Sequence, residues 1–248
     1  MKVLGIDVGG SSIKGGLVDV ATGRLIGDVE HVPTPKPSAP EAVMKQVAVL
    51  GQRLPGAEAV GFAFPSAVKN NIARTAANVD HGWIGADGVK LARAALGLPA
   101  VFLNDADAAG VAEMKWGAGR DTPGTVIMLT FGTGIGTALF SDGKLVPNTE
   151  FGHIQMHGAD AEAWASARVR TEQNLEFPEW IARVNEYLAL IYSLFWPDIY
   201  ILGGAVSERF AQFAPLLKSE AQIRPAHFGG QAGVMGAALA AAAALQRA

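Results

Sequence analysis

The sequence predicts an α/β chain of two related lobes facing one another across a central cleft. Apolar runs of strand length alternate with helix-period segments through the 248 residues, the pattern of sheets covered by helices. The run Gly5-Ile6-Asp7-Val8-Gly9-Gly10 returns as Met128-Leu129-Thr130-Phe131-Gly132-Thr133 at a constant offset of 123 positions, with Asp19 falling on Asp142. The apolar stretch Ala100-Val101-Phe102-Leu103 ends in Asn104-Asp105-Ala106-Asp107. That puts acids at the carboxyl edge of a strand, where α/β sheets bind ligands. The lobes are expected at 1–104, with a helix over 232–248 packing back on the first, and at 105–231.

The elements follow from local chemistry. Residues 2–8 read as a buried strand broken by Gly9-Gly10, and 13–20 and 24–32 continue a meander through the Thr22-Gly23 turn. The prolines of 33–40 make an extended connector, and Ser38 with Glu41 three residues on is a capping-box signal for a helix to about Leu50. Residues 59–63 form a strand, 70–85 a loop, and Asp87 caps a helix to Leu96. The strand ending at Asn104 leads into a helix over 106–116. A second strand–turn–strand spans 126–140, and 148–157 is a polar loop. Helices are expected over 160–169 and 177–195, the latter with Ile181, Val184, Leu188 and Ile191 at helical spacing. A strand over 198–202 runs into Gly203-Gly204, Ser207 caps the helix beyond, and a last helix spans 232–245.

Composition excludes several classes. Half of the residues are hydrophobic and 17% are charged, which argues for a sizeable core. A net charge of −3 with scattered Lys and Arg argues against nucleic acid as the main partner. No cysteine is present, so there is no disulfide, thiol nucleophile or Cys-based zinc site. No apolar run reaches a membrane span, and Met1 leads directly into a strand, so no signal peptide and a cytoplasmic location are expected.

Asp7-Val8-Gly9-Gly10-Ser11-Ser12-Ile13-Lys14 has the parts of a phosphate turn. Glycines let backbone N–H groups approach anionic oxygens, hydroxyls donate, and Lys14 brings charge. Asp7 would hold Mg²⁺ through its waters. The bland alternative is a tight hairpin with a solvated lysine. Gly132-Thr133-Gly134 is either a second phosphate clamp or a sharp β-turn. Gly203-Gly204 suits a nucleotide or simple close packing. Asn148-Thr149-Glu150-Phe151-Gly152-His153 offers a carboxylate and an imidazole suited to a polyol, and Glu162 is a further hydroxyl acceptor or a surface residue. His153 and His157 are spaced for a metal pair, but no third ligand is apparent. Asp105 reads as a helix cap or as a general base, and the two glycine turns favour the base, because a phosphoryl acceptor hydroxyl must lose its proton. Asp107 reads as an ordinary acid in a first helical turn.

Together Asp7-x-Gly9-Gly10-Ser11, Asn104-Asp105-Ala106-Asp107, Gly132-Thr133-Gly134-Ile135-Gly136 and Glu150-x-Gly152-His153 resemble the ROK family of sugar kinases, over nearly the whole chain. Arg74-Thr-Ala-Ala-Asn78-Val-Asp80 followed by Trp83, and Ser193-x-Phe-x-Pro-Asp198, are most similar to its polyphosphate glucokinase branch. The resemblance implies the duplicated actin-like, hexokinase-type (ribonuclease H-like) fold. It implies Asp105 as base for the glucose 6-hydroxyl and Asn104, Glu150 and His153 as ring-hydroxyl ligands. Glu162, in Glu162-Ala-Trp-Ala-Ser166, would be a further ligand, and Asn78 would lie near the sugar. Polyphosphate, ATP or both would be the donor, with Mg²⁺, in a homodimer. The family's zinc-binding cysteines are missing, so His153 is expected to bind sugar without zinc. Ser66 after Pro65 and Ala205 after Gly204 depart from glycines common in the family. Lys14, Lys69, Arg74, Lys90 and Lys115 are candidate polyphosphate contacts or ordinary solvated charges. The alternatives are a strictly ATP-dependent kinase for glucose, mannose or fructose, and a non-catalytic sugar-sensing protein.

Overall fold

A computed structural model describes residues 1–246 of the chain; residues 247 and 248, included in the expected C-terminal helix, lie outside the described residues. The chain divides into two compact units, Met1–Ala112 with the segment from Gln231 onward, and Glu113–Gly230. The division expected before Asp105 falls instead inside a helix, because the first two turns of that helix pack with the first unit.

The first unit opens with β1 (Lys2–Val8), β2 (Ser12–Asp19) and β3 (Arg24–Pro33). Helix α1 (Pro40–Arg53) and β4 (Ala59–Phe64) follow, then a small hairpin of β5 (Val68–Lys69) and β6 (Ile72–Ala73). Helix α2 (Gly88–Leu96), β7 (Ala100–Asn104) and α3 (Asp105–Trp116) complete the run. Asp87 caps α2 as expected, accepting from Lys90 N. The Ser38 capping box does not form. Helix α1 starts on Ala39 with Pro40 in its first turn and no side-chain cap. Ser38 Oγ instead accepts from Asp80 N at 3.0 Å, and its carbonyl accepts from Trp83 Nε1 at 2.8 Å. The long-range Asp80 N–H takes the hydroxyl that a local cap would have used, and the buried indole N–H of Trp83 is satisfied by the carbonyl of the same residue.

The second unit contains β8 (Thr125–Phe131), β9 (Ile135–Ser141) and β10 (Lys144–Val146). A small hairpin of β11 (Gln155–Met156) and β12 (Ala159–Asp160) leads to α4 (Glu162–Ala165), α5 (Ala167–Glu172) and α6 (Phe177–Phe195). Then come β13 (Ile199–Gly203), α7 (Phe210–Phe213), β14 (Gln222–Pro225) and finally α8 (Ala232–Leu245). The single helix expected over 160–169 is two, because Ser166 leaves the helical region and caps α5 through Val169 N. Ser207 does not cap α7. Its hydroxyl bonds the Gly204 carbonyl at 2.7 Å inside a 3₁₀ turn, Ala205–Arg209.

The two sheets have the same plan. Their strand orders are β3-β2-β1-β4-β7 and β10-β9-β8-β13-β14. Strands β1 and β8 occupy positions exactly related by the sequence offset; the hairpin after them differs. Val8 pairs with Ile13, whereas Phe131 pairs with Ile135. The second turn is one residue shorter, so beyond it Asp19 corresponds to Ser141 and not to Asp142. Each sheet has its own core, one centred on Phe62, Phe64, Trp83 and Phe102, the other on Phe131, Trp180, Tyr187 and Phe213.

Helix α8 returns to the first unit and lies on β1 and β4. Its backbone touches the sheet, since a Cβ on Gly61 would collide with the Ala237 carbonyl. Only glycine permits that approach, and the alanines of α8 keep the helix thin enough to use it.

Candidate active site

In the first unit, β1, β4 and β7 run parallel, with Asp7 beside Ala63 and Ala63 beside Leu103. Asp7 and Asp105 therefore stand at the same carboxyl edge, the ligand edge of such sheets. The Asp7 carboxylate is 16% exposed and lies 3.8 Å from Lys14 Nζ. Burial pushes its pKa up, and Lys14 offsets part of that. Gly233 at the start of α8 packs on this carboxylate, where a Cβ would come within 2.7 Å. The turn from Gly9 through Gly10 and Ser11 to Ser12 is closed by Gly9 N on the Ser12 carbonyl at 3.0 Å. Thr34, buried and not anticipated from sequence, braces it: its hydroxyl donates to the Gly9 carbonyl at 2.7 Å and its N–H to the Ser11 carbonyl at 3.1 Å.

Asn104 rather than Asp105 caps α3. Its Oδ1 accepts from Asp107 N at 2.9 Å, and its Nδ2 donates to the Ser66 carbonyl at 3.2 Å. Ser66, at the position where glycine is common, joins the same network by accepting from Thr75 N. Asp105 accepts from Ala106 N at 2.8 Å through Oδ1 and is half-buried. Asp107 is buried in the first turn. Asn78 is exposed, ahead of the 3₁₀ turn His81–Trp83. Lys69, Arg74, Lys90 and Lys115 are all exposed, and of the five candidate cations Lys14 is the one shown beside an acid of this edge.

In the second unit, the turn Gly132-Thr133-Gly134 and the sugar loop are one assembly. Glu162 Oε2 accepts from Ile135 N at 3.2 Å and sits over Gly134. Thr137 Oγ1 receives the N–H of Phe151 at 3.2 Å and donates to the Thr149 carbonyl at 2.7 Å, fastening the loop to β9. Gly152 packs on the Ile135 carbonyl. Glu150 and His153 approach to 3.9 Å. Burial raises the Glu150 carboxyl, His153 lowers it, and Glu162 raises it further. Gly203 pairs with Thr130 at the neighbouring strand end. Gly204 has φ of +84° and packs on the Phe131 backbone, so a side chain there meets both strain and a clash.

The structure adds a partner for His153. The β11–β12 hairpin returns Asp160 beneath the imidazole, with Asp160 Oδ2 2.8 Å from His153 Nδ1 and Oδ1 accepting from Gln155 Nε2 at 2.5 Å. With neutral His153 this places the proton on Nδ1 and leaves Nε2 facing Glu150. The expected helix over 160–169 hid this role of Asp160. His157 pairs elsewhere, 2.9 Å from Glu186 through Nε2. The hydrogen bond to Asp160 is the main cause holding His153 above its ordinary 6.5, and the same bond holds Asp160 below 3.8. The His153 contribution to stability is complete below pH 6.5 and lost as pH rises through the raised value. That of Asp160 is present above 3.8 and lost as pH falls through the lowered one. Urea unfolding of Asp160→Asn against wild type is therefore expected to show its largest gap between these two values and a smaller one at about pH 9. A gap that widens with rising pH contradicts the pairing.

A metal would fit the first unit's edge. Asp7 is a largely buried carboxylate with a raised pKa, four and five positions ahead of the hydroxyls of Ser11 and Ser12, and Mg²⁺ binds through one or two carboxylates, water and substrate phosphates.

Residues 3–174 match the model of the ROK family. The chain is 45% identical to the polyphosphate glucokinase of Mycobacterium tuberculosis over 240 residues, covering 96% of this chain and 91% of that protein. Among solved structures, the inorganic polyphosphate/ATP-glucomannokinase of an Arthrobacter species superposes with a TM-score of 0.95 at 42% identity, covering 98% of this chain and 99% of that one. A ROK glucokinase from Streptomyces griseus, solved with glucose and AMPPNP, gives a TM-score of 0.83 at 25% identity, with 96% and 98% covered. The motifs, the duplicated sheets and these likenesses agree that the chain belongs to the ROK family of sugar kinases.

Proposed function

We propose that this protein transfers the terminal phosphoryl group of polyphosphate, or of ATP, to the 6-hydroxyl of glucose. The observation that carries the reading is Asp105 at the carboxyl edge of β7, relieved of helix capping by Asn104. Asp105 takes the hydroxyl proton as the oxygen attacks phosphorus. The bond from phosphorus to the bridging oxygen breaks, releasing ADP or a polyphosphate one unit shorter, and glucose 6-phosphate forms. Glu150, His153 and Glu162 hold the ring hydroxyls, with Asn104 and Asn78 as the first unit's ligands. Backbone N–H groups of Gly10, Ser11 and Ser12, with Lys14, receive donor oxygens, as do those of Thr133 and Gly134, while Gly9 and Gly132, whose own N–H groups close the two turns, let the donor approach the backbone. Gly203 and Gly204 admit the nucleotide when ATP is the donor. Asp7 would hold Mg²⁺ through water, and the ion would neutralise phosphate charge.

The polyphosphate glucokinase and glucomannokinase likenesses support both donors. Among the described residues no helix is long and apolar enough to cross a membrane, and we place the reaction in the cytoplasm, where glucose meets these donors. A homodimer belongs to the same reading. Tyr187, Leu188 and Ile191 of α6 are core, while Leu194 and Trp196 at its end are 55% and 69% exposed and available to a second copy; sedimentation at the mass of one chain rejects it. A coupled assay of glucose 6-phosphate with polyphosphate and with ATP, against glucose, mannose and fructose, tests the function. Glucose binding without product from either donor makes the protein a sugar sensor. Product from ATP alone makes it an ATP-dependent hexokinase.

A further inference from the structure

Two arginines of the second unit share one aromatic ring. The guanidinium of Arg170 lies 4.3 Å from the Phe177 ring centroid and that of Arg209 lies 4.7 Å from it. Burial of Phe177, which is 9% exposed, does not require both charges. Neither arginine forms an ion pair among the described residues. Of the acids nearest in sequence, Glu179 accepts from Glu176 N at 3.0 Å, and Glu172 and Glu208 are exposed without an ion pair. Arg209 gives Nε and Nη2 to the neutral Gln212 Oε1 at 3.1 and 3.0 Å. Arg170 Nε is buried with no hydrogen-bond partner.

Their position makes the charge useful. Arg170 is on α5, whose start is tied to the glycine turn by Arg168 N on the Gly132 carbonyl at 3.0 Å. Arg209 ends the 3₁₀ turn that begins after Gly204. Gly204 in turn packs on the Phe131 backbone, directly before Gly132. Arg170 is thus tethered to the carboxyl end of β8 and Arg209 follows that of the parallel strand β13, the edge that carries the second unit's phosphate-binding candidates. Phe177 itself is held in place by Phe213 at 5.3 Å and Trp180 at 6.3 Å. Planar guanidinium forks suit phosphate oxygens, and an aromatic seat keeps them in place with less entropy to lose on binding.

We propose that Arg170 and Arg209, seated on Phe177, form a subsite for the non-reacting part of a linear polyphosphate chain, which distinguishes that donor from ATP. This rests on the phosphoryl-transfer reading and adds a location for the donor's distal charge. None of the lysines and arginines singled out from sequence for this role belongs to the pair.

The test is steady-state kinetics of Arg209→Gln, which is exposed and safe for folding, and of Arg170→Lys and Arg170→Gln, with long-chain polyphosphate and with ATP at saturating glucose. The ratio of kcat/KM for polyphosphate to that for ATP is expected to fall about tenfold in each glutamine variant, through KM, and its salt dependence to become shallower. Arg170→Lys retains charge and loses the fork, so it falls between. An unchanged ratio in Arg209→Gln, or an equal loss with both donors, overturns the subsite. If wild type turns over no polyphosphate, the donor assignment itself fails and the subsite with it. Turnover in wild type with indifferent variants removes the arginines alone.

Discussion

Asp105→Asn is expected to lower kcat by about 10²- to 10⁴-fold while the KM for glucose changes little. The substitution keeps the size of the side chain and its ability to accept from Ala106 N at Oδ1, so α3 should start where it does now. What it removes is the basic oxygen that takes the hydroxyl proton. Because Asn104 already caps the helix through Asp107 N, little change in thermal stability is expected. Single-turnover glucose 6-phosphate formation with saturating donor checks the chemical step directly. Turnover within a factor of a few of wild type would remove Asp105 from the role, and a large fall in Tm would show that its duty is structural.

Trp180→Ala should cost about 3–5 kcal/mol of stability, lowering Tm on the order of 10 °C. Trp180 is 1% exposed and meets Phe131 edge-on at 5.7 Å and Phe213 at 5.9 Å. Its indole N–H also donates to the carbonyls of Ala165 and Ser166 at 3.0 and 3.2 Å. Those carbonyls lie at the junction of α4 and α5, so the same side chain that fills the core seats the helix carrying Glu162. The KM for glucose should therefore rise in the folded fraction as well. Trp180→Phe separates the two effects: most of the packing remains, the N–H is lost, and the sugar KM should move more than Tm does. A sugar KM untouched in both variants would disconnect the core from the site.

Much of the fold was legible because it was written in short-range periodicity. Strand β1 and its counterpart β8 are mostly apolar runs followed by glycine, and their spacing showed the duplication before any pairing was known. Asp87 announced α2, since a lone Asp before a helical pattern has few competitors for its cap. The failures share a cause. Ser38 had a local cap available and its hydroxyl oxygen accepts from Asp80 N instead; Ser166 broke one expected helix into two; Ser207 turned back on Gly204. Serine hydroxyls bond whichever backbone group the fold delivers, three residues away for Ser166 and Ser207 and 42 away for Ser38.

The site divides in the same way. Sequence alone determined the chemistry on offer: an acid at a strand's carboxyl edge, two glycine turns at equivalent places in a repeat, and a Glu-x-Gly-His loop. Tertiary structure decided which group has which duty. It gave the α3 cap to Asn104, put Asp160 under His153 by way of a two-stranded hairpin, laid Glu162 over Gly134, and set Arg170 and Arg209 on the one ring of Phe177.

 The two arginines lie far apart in the chain and meet at Phe177 because Arg168 N ties α5 to the turn after β8, while the 3₁₀ turn after Gly204 leaves the adjacent parallel strand β13. Residue types and their local spacing determine which chemistry a chain carries. Which groups meet depends on strand order and on the long-range hydrogen bonds of buried polar atoms, and neither has a period that a sequence displays.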